Sequence, residues 1–136
     1  MLSEEVQIAI QVALSDAHQR RHALATVEHL LYALLCDEDT VKAVNAAGGR
    51  AERVKRRLER YLGDQPTVSD DVELNVEPSL GFQRVIQRAH NHSLGAGKQE
   101  AHGTDLVVAV FAERDSHARS CLEESGLKRL DLVTYL

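Results

Sequence analysis

The chain has 136 residues, no tryptophan, two phenylalanines, three tyrosines and two cysteines, and 16 basic against 21 acidic side chains give a formal net charge of −5. That length suits one domain with a real core, and so few aromatics mean the core is built from Leu, Ile, Val and Ala, which suits close-packed helices. The acidic balance disfavours general nucleic-acid or anionic-membrane binding, no apolar run is long enough to span a bilayer, and without a leader after Met1 the sequence reads as that of a cytoplasmic protein.

Residues 3–20 place Val6, Ala9, Ile10, Ala13 and Ala17 on one helical stripe, with Glu4, Gln7, Gln11 and Asp16 off it. Thr26 is a plausible N-cap for a second helix over Val27–Cys36, whose Leu30, Leu31, Leu34 and Leu35 predict a buried element. Asp39 or Thr40 can cap a short third helix that ends near Gly48-Gly49. A fourth, Ala51–Leu62, places Val54, Leu58 and Tyr61 or Leu62 on one side and mostly Arg, Lys and Glu elsewhere. Residues 63–78 break the pattern with Pro66, Asp70, Asp71, Glu73 and Glu77, a linker whose acidity is expected to answer the basic helix before it. Ser79 then caps a fifth helix over about 80–95, and helices follow at about 103–113, 116–124 and 128–135. No convincing strand is present: the Val-rich stretch 106–110 matches a helix earlier in the chain and reads as one.

That match is one of two. Val6–Ala13 (Val-Gln-Ile-Ala-Ile-Gln-Val-Ala) lines up with Phe82–Ala89 (Phe-Gln-Arg-Val-Ile-Gln-Arg-Ala), and Leu30–Leu35 with Leu106–Phe111, both 76 positions apart. Two separated matches at one offset predict a duplicated unit. The expected fold is all-α: two pseudo-two-fold-related four-helix repeats, about eight helices, with repeat 1 over about 1–62, the acidic linker at about 63–78, and repeat 2 over about 79–136.

Little in the chain suggests catalysis. Gly95-Ala96-Gly97-Lys98 lacks the earlier glycine of a phosphate loop, where His92 stands, and the Ser or Thr after Lys98, where Gln99 stands. His18 and His22, spaced i, i+4, are the candidate metal pair, but sequence fixes no third ligand, and two exposed imidazoles near a helix C-terminus is the plainer reading. Interleaved Glu52 and Glu59 make the basic run of Arg50, Arg53, Lys55, Arg56, Arg57 and Arg60 read as a solvated face. Cys36 and Cys121 read as reduced, buried side chains rather than a disulfide. The copies also differ: Ile8 and Val12 correspond to Arg84 and Arg88, an apolar face turned cationic. Arg84 in the first turn of a helix opposes the dipole, so either an acidic partner or the acidic linker should account for it. Glu28, in the first turn of its own helix, suits the dipole.

Thr26-Val27-Glu28-His29-Leu30-Leu31 with Ala33-Leu34-Leu35, and Ser79-Leu80-Gly81-Phe82-Gln83-Arg84-Val85-Ile86-Gln87-Arg88-Ala89 with Arg129-Leu130-Asp131-Leu132-Val133, resemble the Clp N-terminal domains of Clp/Hsp100 AAA+ unfoldases, the ClpA type above all. The second copy's His102-Gly103-Thr104-Asp105-Leu106 differs from the Gly-Thr-Glu-His-Ile-Leu signature that ClpC-type domains carry in both repeats. The resemblance implies a non-catalytic domain, likewise without cofactor, ATP and magnesium being implied only for ATPase modules outside it. It implies docking of the ClpS adaptor, delivery of unfolded or N-degron substrates, ClpP as partner of the full hexamer, a bacterial cytoplasmic setting, a monomeric isolated domain, and no nucleic-acid or membrane partner. Carried over residue by residue, the adaptor-binding set is Glu28, Ser79, Arg84, His22 and Arg129. Ala23 departs from the acidic residue usual after that histidine. The alternative is a ClpB- or ClpC-like, or stand-alone, Clp N-terminal domain that binds unfolded polypeptide directly through apolar residues, and a hydrolase using His18 and His22 is the rival from another class.

Overall fold

A computed structural model describes residues Met1–Tyr135; Leu136, where repeat 2 is expected to end, lies outside the described residues. Eight helices run α1 (Glu4–Gln19), α2 (Val27–Leu34), α3 (Glu38–Ala46), α4 (Ala51–Gly63), α5 (Leu80–Gly95), α6 (Gly103–Val110), α7 (His117–Glu124) and α8 (Arg129–Tyr135). The all-α expectation holds, and the duplication is visible residue by residue. The ranges of α1 and α5, and of α2 and α6, differ by the same 76 positions as the sequence match.

Local chemistry explains these starts. The Ser3 hydroxyl accepts the Val6 N–H and the Ser79 hydroxyl the equivalent Phe82 N–H, at 3.3 and 3.1 Å. The third helix is capped by Asp37 rather than Asp39 or Thr40, because Asp37 Oδ2 takes both the Thr40 N–H and its hydroxyl, at 3.0 and 2.9 Å. On α1 the stripe Val6, Ala9, Ala13 and Ala17 is buried, and on α5 its equivalents Phe82, Val85, Ala89 and Ser93 are too. Small residues there let α2 and α6 approach closely.

The halves interlock rather than merely abut. α2 and α6, each other's equivalents, pack together at the centre; α3 reaches across to α6 and α8, and α7 reaches back to α2 and α4. Leu30, Leu31, Leu34, Leu106, Val107 and Val110 are essentially fully buried there, each worth about 1.5–3 kcal/mol relative to exposure.

Some strand pairing exists after all. β1 (Leu24–Ala25) lies parallel to β2 (Glu77–Pro78), with Leu24 opposite Glu77 and Ala25 opposite Pro78. Leu2 bridges Ala101 in the equivalent place. In both, the segment before a repeat's first helix pairs with the segment before the other repeat's second helix: the Ser79 N–H donates to the Ala25 carbonyl and the Ser3 N–H to the Ala101 carbonyl, each at 2.9 Å. Two residues per strand is too short for period-2 patterning to reveal.

The linker is not anchored where its charge suggested. Arg21, the one non-glycine residue with positive φ (61°) among the described residues, donates its side chain to the carbonyls of Val68, Ser69 and Val72. The acidic segment is thus held by Arg21 just past α1, through those carbonyls and the Asp70 carboxylate at 3.9 Å, not by the arginines of α4.

Candidate functional site

Three successive residues at the start of α2 point in three directions. Val27 packs at Gly81 of α5, where an added Cβ would come within 2.9 Å of Val27 Cγ2. Glu28 is buried, and its Oε2 accepts the backbone N–H of Ala118, in the first turn of α7, at 2.9 Å. It therefore satisfies an orphan donor of a helix in the other repeat, beyond favouring its own dipole. His29 turns inward. Its Nδ1 lies 2.9 Å from the Thr26 N–H, which it accepts, leaving Nε2 to carry the proton and donate to His22 Nδ1 at 2.9 Å.

His22 is thus 5% exposed rather than an open helix-end imidazole. α1 stops at Gln19 and Arg21 reverses the chain, so His18 and His22 do not share a helix face. No group of three His, Cys, Asp or Glu side chains is placed to hold a metal among the described residues. Burial, then the charge of Arg20, pushes the His22 imidazole below its ordinary range, and burial with His22 beside it depresses His29 to about 4. Both rings are neutral at pH 7. Cys36, expected to be buried, is exposed; Cys121 is buried, and burial pushes its thiol up to about 11.

Arg84 finds neither the linker nor empty solvent. It forks onto Glu113, Nε to Oε2 at 3.1 Å and Nη2 to Oε1 at 2.7 Å, while Arg88 Nη1 reaches the same Oε2 at 3.2 Å. Glu113 is buried to 9% exposure, and hydrogen bonds from Arg84 hold its carboxyl below the usual range. Arg84 itself stays 56% exposed in its side chain. One buried carboxylate under two guanidiniums leaves a net positive, sterically fixed surface. A cleft over Arg84, Arg88, Arg114 and Ser116 opens here. A neighbouring recess joins Arg88 and His92 to Arg129.

Of the five expected site residues, Ser79, Arg84 and Arg129 therefore lie along the α5 side, linked through Arg88. Glu28 sits behind them beneath the start of α7, and His22 is turned into the core. Sequence reasoning missed Glu113 and His29. Two arginines one helical turn apart with a single acid at the end of the next helix was the available signal for the first. For the second, it was the equivalence of Thr26/His29 with His102/Asp105.

This geometry defines an all-α duplicated domain that carries a charged surface along α5. The protein-family model of the Clp repeat (R) N-terminal domain matches residues 1–125, and the chain belongs to that family, the N-terminal domains of Clp/Hsp100 ATPases. It is 39% identical over 136 residues to the "ClpA homolog protein" of Fuscovulum blasticum, covering 98% of this chain and 17% of that relative, so it spans about a sixth of that protein's length. The Hsp104 N-terminal domain from Candida albicans superposes with a TM-score of 0.82 at 16% identity, over 98% of this chain and 87% of that one. For the N-terminal domain of the chaperone ClpD from Arabidopsis thaliana the values are 0.73 and 18%, over 98% and 90%. At those identities the likeness establishes the fold. No helix among the described residues is long and apolar enough to cross a membrane.

Proposed function

We propose that this domain is the recruiting module of a ClpA-like unfoldase, docking a ClpS-type adaptor that delivers N-degron substrates to the ATPase ring and on to ClpP in a bacterial cytosol. The observation that carries the reading is the Arg84–Glu113–Arg88 arrangement. It holds two guanidiniums at fixed positions on an exposed helix beside the Ser79 cap, an arrangement suited to recognising carboxylates and carbonyls. Arg129 extends the contact past Arg88, while Glu28 and His22 act from behind by fixing the starts of α7 and α2. The likeness to a ClpA homologue adds support. ATP and magnesium belong to the ring, and the domain needs no cofactor of its own.

Titrating a ClpS-type adaptor onto the domain tests this by calorimetry. Saturable binding is expected, weakened about 5- to 150-fold by Arg84→Ala, the range of 1–3 kcal/mol for a well-placed interface charge. Arg88 stays on Glu113 in that variant, so the fold should survive. No saturable binding at high micromolar adaptor removes the adaptor role.

A second reading, direct capture of unfolded segments, is favoured by Ile8 and Val12, which stand 56% and 42% exposed on α1. An unfolded polypeptide whose binding is lost in Ile8→Ser/Val12→Ser and unaffected by Arg84→Ala would select it.

A further inference from the structure

Among the described residues, the outward face of α4 has no partner. Ala51, Val54, Leu58 and Leu62 are its buried stripe. At 100° per residue, Arg53, Arg56 and Arg60 fall on the line diametrically opposite, and all three are exposed. Of the nearby acids, two are engaged elsewhere, while Glu52 and Asp64, each four positions from one of the arginines, make no ion pair with them. Glu59 is held by Arg20, and Glu124 of α7 by Arg57. Lys55 lies 5.6 Å over the Tyr32 ring. Among the described residues, Arg53, Arg56 and Arg60 make no ion pair, nor do Arg50, Arg114 and Arg129, whereas Arg20, Arg21, Arg57, Arg84, Arg88 and Arg119 each have a carboxylate within 4.0 Å; what sets the three apart is that they share one exposed line of one helix.

Stability accounts for the row only in part: Arg60 suits the C-terminal end of the dipole, whereas Arg53 in the first turn opposes it. Like charges three and four positions apart cost a helix about 0.2–0.5 kcal/mol each. Solubility is already served by a net charge of −5, which this row reduces. Guanidiniums, moreover, present forked donors matched to carboxylates.

We propose that this face is a second docking surface, separate from the α5 cleft, and that its occupant is a carboxylate-rich polypeptide segment of a partner protein. The three guanidiniums span seven residues, about 10 Å of helix. That matches acidic side chains one and two turns apart on a helix, or on alternate residues of an extended chain. The surrounding acidic protein selects a short acidic segment over a nucleic acid, since it repels a long polyanion beyond the patch.

The experiment uses the 136-residue domain and a fluorescent 15-residue Asp/Glu-rich peptide, with anisotropy read at 50 and 300 mM salt. Binding is expected at low salt and should weaken at high salt. R53Q/R56Q/R60Q should weaken it at least tenfold with unchanged circular dichroism and a melting temperature that is equal or slightly higher, while Arg84→Ala leaves it intact. That last arm separates failure of this proposal from failure of adaptor docking. Peptide binding that survives the triple substitution, absence of binding at low salt, or a single-stranded RNA of equal charge bound as tightly would each overturn it.

Discussion

The two repeats solve one problem with different chemistry. Where repeat 2 places Lys98 Nζ 2.8 Å from the buried Asp105, repeat 1 places His22 and His29 at 2.9 Å in the equivalent positions. Asp105 and His29 also share a second role, since each accepts the N–H of the residue before its helix, from His102 and Thr26, at 2.8 and 2.9 Å. One repeat closes its turn with an ion pair and the other with two neutral rings. A duplicated backbone thus constrains hydrogen-bond directions far more tightly than it constrains charge. The same holds on α1 and α5, where Ile8 and Val12 against Arg84 and Arg88 make one face apolar and its counterpart cationic. Function can diverge on such faces because neither choice disturbs the shared core.

The sharpest break in the comparison is at Gly103, the equivalent of Val27. An added Cβ there would meet Thr40 Oγ1 at 2.2 Å, a buried hydroxyl already committed to Asp37. Gly103→Val should cost about 3 kcal/mol or more, read as a lowered urea midpoint.

Next is acid. His29 has its folded value depressed to about 4 from 6.5, so between those pH values the unfolded chain binds the extra proton. The pair's stabilisation is complete above about pH 6.5 and is lost as pH falls toward 4, by roughly 2–3 kcal/mol in urea midpoints measured across that window. Asp16 and Arg20, the other charges facing the pair, oppose each other in this shift. The double substitution His22→Lys/His29→Asp, importing the solution used by repeat 2, should flatten the slope between pH 4 and 6.5.

Glu28→Ala strands the Ala118 N–H and should cost about 1–2 kcal/mol. Glu28→Gln, which keeps an acceptor, should recover most of that in the same unfolding assay. The smallest effect is on stability but not on reactivity: a maleimide should label exposed Cys36 in the native protein while Cys121 reacts only on unfolding.

The fold was legible where local chemistry decides. Ser79 and Thr26 sit ahead of apolar stripes, and the 76-residue echo aligns α1 with α5 and α2 with α6. Short elements slipped: α3 begins earlier than expected because Asp37, not Asp39, reaches the Thr40 N–H. The site was legible only in part. Arg84 and Ser79 announced themselves by position, but Glu28 meets Ala118 ninety residues away. Glu113 reaches Arg84 across a helix junction, and no periodicity encodes such meetings. His22 misled for the same reason: its spacing from His18 implied a shared helix, and a single residue with positive φ ended that helix first.

The reciprocal seams between the halves set an order of events during synthesis. Ser3 cannot be tied down until Ala101 has left the ribosome, nor can α3 find its bed until α6 and α8 exist. The nascent first half must wait, partly made, until most of this domain has been synthesised, and the domain then closes in a late, cooperative step.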